Sequence, residues 1–149
     1  MTYCTLADVN KMLIGTQIND NSLLTADTVN TDILPRCDRY IDDKLGKFYQ
    51  TPITGEDALV TINRIATYWS AAEVTQRIYI GQTPANSPQA ATWRKYADQD
   101  LQDIIAGNIL LPDAVPTADT PKPRSHLVKD KLSQPTWNEP PRFSMGKRF

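Results

Sequence analysis

Apolar residues recur along this chain in four runs with helical spacing, separated by polar or proline-containing breaks. Leu6, Val9 and Leu13 make a short first stripe. Thr5 stands before it with Asp8 three residues on, a capping-box pattern in which side chain and backbone satisfy each other's free groups. A first helix ending at Gly15 is predicted, then a polar loop over 16–24. Val29, Ile33, Cys37, Ile41 and Leu45 lie four apart, a spacing that drifts round the cylinder and suits a helix packed on several neighbours. The second helix is therefore expected over about 27–48. Pro35 lacks an N–H and crowds the Thr31 carbonyl, so a kink is expected there; the alternative is a regular helix starting near Asp32.

After a break at 49–55, Thr54 and Asp57 repeat the cap pattern and open a third helix reaching Ile80, stopped by Gly81. Its stripe is Leu59, Ile62, Ala66, Trp69, Ala72 and Ile78, and the small pair Ala71-Ala72 would let another helix come close. Ser87 before Pro88 is a cap with proline at the first helical position. Trp93, Ala97, Leu101, Ile104 and Ile105 then share a face until Gly107, opposite the charged Arg94, Lys95, Asp98 and Asp103. No stretch alternates with period two. The expected fold is all-α: a small bundle of about four helices over residues 1–107.

Residues 108–149 read differently. They hold seven of the eleven prolines and the single histidine, His126. Their charge is +3, from seven Lys/Arg against four Asp/Glu, while 1–107 carry nine against thirteen, or −4. With too few apolar side chains to offset its ordering entropy, this segment is expected to be a long extended arm, ordered by other chains. A chain cut after Gly107 is then expected to keep its fold. Trp137 and Phe143 stand among prolines and charges, spaced as apolar anchors of an extended peptide in a partner's groove. Together with Arg142, Lys147, Arg148 and Phe149 they are the candidate partner-binding residues.

Composition excludes more than it assigns. A net charge of −1 argues against a dedicated nucleic-acid binder. Cys4 and Cys37 form no close-spaced metal or redox pair and are expected to be reduced and partly buried. No apolar run approaches a membrane span, and the first residues lack the regions of a signal peptide, so a soluble chain made in the cytoplasm is expected. No phosphate loop or dinucleotide fingerprint is present. Adjacent Asp42 and Asp43 point about 100° apart on a helix and cannot converge on one metal. Asp98, Asp100 and Asp103 read as a solvated face, and Trp69 and Trp93 as core. Expected are no enzyme activity, no catalytic residues, no metal and no cofactor.

The order and spacing of four pieces resemble the head–tail connector, or adaptor, proteins of tailed bacteriophages. The pieces are Tyr3-Cys4-Thr5-Leu6-Ala7-Asp8-Val9; Ile41-Asp42-Asp43-Lys44-Leu45 with Tyr49 and Pro52; Ile65-Ala66-Thr67-Tyr68-Trp69; and Leu101, Ile104, Ile105 and Gly107. The likeness spans residues 2 to about 107; Pro35 departs from the family's pattern, and the arm matches no motif of it. The resemblance implies a structural virion protein in the neck, a homo-oligomeric ring, usually twelve-fold, beneath the portal. It would bind the portal protein on one side and a stopper or tail-completion protein on the other, with genomic DNA only passing through. The arm, reaching on the order of 130 Å at ~3.1 Å per residue, would latch portal and neighbouring subunits. The alternative expectation is a nucleic-acid-associated accessory protein whose basic tail meets phosphates.

Overall fold

The computed structural model describes residues 2–13, 17–20, 22, 24–79 and 88–120. Five helical segments appear in the order α1 (Leu6–Met12), α2 (Ala26–Thr28), α3 (Leu34–Leu45), α4 (Glu56–Tyr79) and α5 (Pro88–Ile105). A π turn, Val29–Ile33, joins α2 to α3 in one helical run. Among the described residues there is no strand, only an isolated antiparallel bridge between Tyr49 and Pro116. The protein is all-α over these residues.

The first helix begins as expected. Thr5 accepts from the Asp8 N–H at 3.3 Å, and the Thr5 N–H donates to Asp8 Oδ2 at 3.1 Å. The second run starts at Ala26, within a residue of the expected position, where the Thr25 hydroxyl accepts from the Thr28 N–H. Its irregularity at Pro35 takes the form of the π turn, in which the Leu34 N–H reaches back five residues to the Val29 carbonyl. Regular α geometry resumes at Leu34, placing Pro35 in the first turn, where its missing N–H costs little. The start is thus nearer the alternative reading than a break inside a regular helix. Cap assignment fails by one residue in α4: the Gly55 carbonyl, not that of Thr54, accepts the first helical N–H, from Leu59 at 2.8 Å.

The five residues four apart, Val29, Ile33, Cys37, Ile41 and Leu45, are all fully buried. Each buried Ile or Leu removes apolar surface worth about 1.5–3 kcal/mol. Helix α4 is the central element and packs on α1, the π turn, α3 and α5. Its buried set is accordingly wider than one stripe, adding Ala58, Ile65 and Val74, while Leu59 and Ile78 are only partly buried. Helix α5 lies along α4 and buries Ala90, Trp93, Ala97, Leu101 and Ile104; α4 buries the small pair Ala71 and Ala72. It ends where expected. Gly107 takes φ 77°, its N–H bonds the Ile104 carbonyl, and the Asn108 N–H bonds that of Asp103, a Schellman ending.

The structure does not stop at Gly107. Residues 108–120 turn back along the body: Leu111 is buried, and Ile109 and Ala114 pack partly against the core. The expectation that everything after Gly107 awaits other chains to order it fails for these thirteen residues. One buried leucine and pairing to backbone at 47–50 suffice to hold them. A chain cut after Gly107 would uncover the Leu111 site.

Candidate interaction surfaces

A polar clasp ties the start of the chain to the bundle. Asp38 lies on the apolar seam of α3, four residues after Leu34 and three before Ile41, and is buried with them. Its Oδ1 accepts from the Tyr3 N–H at 3.0 Å. Burial raises the Asp38 pKa, and nearby Asp42 adds to the rise, while the Tyr3 N–H opposes it. The Tyr3 hydroxyl donates to Asp42 Oδ1 at 2.5 Å and accepts from the Ile53 N–H at 2.9 Å. The Asn63 side chain donates to the Tyr3 carbonyl at 2.9 Å. Every polar group of Tyr3 is thereby satisfied, which is what keeps a buried network stabilising rather than costly. Asp42 and Asp43 part as expected: Asp42 turns to Tyr3 and Asp43 to solvent.

Cys4 and Cys37 are free and buried, more deeply than expected. Cys4 Sγ lies 3.7 Å from Ser70 Oγ, and Cys37 donates to the Ala66 carbonyl at 3.5 Å. Burial pushes the Cys4 thiol up to about 11 and that of Cys37 higher still. Such thiols pack as small apolar groups and are poor nucleophiles.

The face of α5 expected to be solvated is partly a seam. The Arg94 guanidinium lies 4.4 Å above the Trp69 ring and 5.5 Å from that of Tyr40. Tyr40 and Trp69 stack at 5.7 Å, and the Tyr40 hydroxyl donates to Asp98 at 2.8 Å. Glu73 receives Arg94, Arg77 and Arg36, and Asp32 receives Arg77 at 2.7 Å. Three carboxylates and three guanidiniums therefore join α4 to both neighbours, with Arg94 covering an indole whose N–H finds no acceptor among the described residues. Spacing alone does not reveal this role, since the partners lie on three different elements.

Two surface clefts are formed by described residues. Between α1 and α4 an open groove of about 260 Å³ is lined by Lys11, Met12, Arg64, Thr67 and Tyr68, among others. Its cations are occupied, Lys11 by Asp8 at 3.2 Å and Arg64 by Asp100 at 3.0 Å. Beside it Tyr68 meets Tyr96 edge-on at 6.0 Å. The second cleft, about 200 Å³, lies between Val115 and residues 50–54, next to the cis Thr51–Pro52 bond. Both are smaller than the roughly 300–1,000 Å³ of small-molecule sites.

The second cleft sits where residues 108–120 dock. The Gln50 N–H donates to the Val115 carbonyl at 2.8 Å, and the Thr117 N–H to that of Phe48 at 2.9 Å. The Thr117 hydroxyl donates to the Lys47 carbonyl at 2.6 Å, and that of Thr120 to Phe48. Gly55 is packed so closely on Asp113 that a Cβ there would fall 2.7 Å from its backbone carbonyl.

The sequence-predicted anchors Trp137, Arg142, Phe143, Lys147, Arg148 and Phe149 lie outside the described residues, as does His126. Among the described residues no group of three metal-ligating side chains converges, and no helix is long and apolar enough to cross a membrane. No protein-family model matches the chain, and no curated protein matches it.

Proposed function

We propose that this chain is a structural virion protein, a head–tail adaptor that forms a ring beneath the portal and joins it to stopper or tail-completion proteins. In this reading it is not an enzyme and needs no cofactor. It acts in the neck of the particle after assembly in the host cytoplasm, with DNA only passing through. The observation that carries the reading is a contrast in composition. Residues 1–120, whose described part packs as a helical body, carry nine Lys/Arg against fifteen Asp/Glu; residues 121–149 hold seven against two, five prolines, Trp137, Phe143 and Phe149. A segment of that composition gains order by laying anchors into a partner.

Two of the pieces that carry the resemblance touch in the fold, and the first lies beside the third. Tyr3 bonds Asp42 and the Ile53 N–H, and Cys4 adjoins Ser70 just past Trp69. Since 108–120 belong to the packed body, the latch to portal and neighbours is assigned to 121–149.

The test is a chain ending at Thr120, with circular dichroism and incorporation into portal-containing particles measured together. It is expected to remain helical and fail to incorporate. Normal incorporation would refute the latch. The accessory-protein alternative rests on the same +5 charge of 121–149. It predicts DNA affinity that falls steeply with salt and disappears in the truncated chain.

A further inference from the structure

We propose that the cleft between Val115 and residues 50–54 receives residues 121–149 of a second copy of this chain, each copy strapping its neighbour. This rests on the adaptor reading and gives its subunit-to-subunit contact a site. Three observations select the occupant.

The first is charge. Residues 1–120 carry −6 and residues 121–149 carry +5. Across 46–57 and 108–120 stand the exposed carboxylates Glu56, Asp57, Asp113 and Asp119, against one cation, Lys47, held 5.8 Å from the Phe48 ring. None of the four has an ion-pair partner among the described residues, which they share with Asp20, Asp27, Asp38, Asp42, Asp43 and Asp103, while Asp8, Asp32, Glu73, Asp98 and Asp100 are paired. Four unpaired carboxylates thus stand on the two segments that form the cleft.

The second is apolar surface. Val115 and Leu110 are 55% and 51% exposed on the same segment. With the cleft beside Val115 they offer a seat for one side chain at a time, such as an aromatic or proline anchor.

The third is reach. Thr120 is fastened to Phe48, so residues 121–149 start from this end of the body. Pro121 and Pro123 bias the residues before them toward extended backbone, which suits a long reach. Twenty-nine residues extend to about 90 Å at ~3.1 Å each, beyond the roughly 35 Å breadth of a body of this size. The contact is heterologous: the segment of one copy meets the cleft of the next, and closure of that relation makes a ring.

The experiment measures the mass of the full chain in solution across ionic strength, beside the full-chain variant E56Q/D57N/D113N/D119N. A synthetic peptide of residues 121–149 serves as competitor. The parent is expected to self-associate at low salt, to return toward monomer at high salt and to be dispersed by the peptide. The variant should associate about tenfold more weakly or less. Equal association of parent and variant would overturn the cleft assignment while leaving the portal latch to its own truncation test. A parent that stays monomeric at every salt concentration would overturn it too. So would peptide that binds duplex DNA but not the body.

Discussion

The α4–α5 seam and the strap formed by residues 108–120 both bring backbone close to backbone, by opposite means. Along the seam α5 buries Ala90 and Ala97 completely, and Trp93, Leu101 and Ile104 fill the space beside them. The helices satisfy their own backbone groups there, so side-chain packing supplies the adhesion. The strap has no helix of its own. It borrows carbonyls and N–H groups at 47–50, adds two threonine hydroxyls, and buries one large side chain, Leu111. Loss of a seam contact should therefore be felt throughout the bundle, and loss of a strap contact only where the strap lies.

Leucine-to-alanine changes on the two sides break this comparison most directly. Leu101→Ala removes a side chain 1% exposed at the seam and is expected to lower global stability by about 2–5 kcal/mol. Leu111→Ala should cost less in the urea midpoint. It should nevertheless raise amide exchange at Gln50 and Thr117, whose N–H groups bond across the strap, while α4 amides keep their protection. Equal loss of protection in α4 from both substitutions would show that strap and bundle unfold as one unit.

Gly55→Ala sharpens the same point from the body's side. The new methyl would meet the Asp113 backbone at 2.7 Å, so the strap must shift, at a cost of about 1–3 kcal/mol. Asp113 already holds φ 60°, which leaves it little room to adjust. The expected readout is faster exchange at Gln50 with helix content unchanged.

Legibility in the sequence followed the same divide. The buried faces of α3 and α5, the Thr5 capping box and the Gly107 stop are local signals, set by spacing or by a cap a few residues away. What spacing could not carry was the docking of 108–120. Its partners, Phe48 and Gln50, are some 65 positions upstream, and the bonds use backbone atoms, which leave little mark in residue type. Asp38 was readable in principle, since a carboxylate between Leu34 and Ile41 must find a donor when buried. The donor, the Tyr3 N–H, was not. Arg94 looked solvated because its aromatic partners and Glu73 lie on α3 and α4. The six anchors in 121–149 rest on composition alone.

The smallest effect concerns two carboxylates of the N-terminal clasp, which respond to acid in opposite directions. Hydrogen bonding by Thr5, aided by Lys11 and Asn63, holds Asp8 at about 2, below the usual 3.8. A depressed folded value means that its stabilisation is present above 3.8 and lost as pH falls toward 2. Burial sets Asp38 above 3.8, so the folded state binds its proton more readily. Stability then falls as pH rises from 3.8 through that raised value. Urea midpoints measured against pH should therefore pass through a shallow maximum between the two limbs. Asp8→Asn should flatten the acid limb alone, because the strap carries none of these bonds. A limb that survives in the Asp8→Asn chain would place the acid sensitivity elsewhere, and exchange at Thr117 would show whether the strap supplies it.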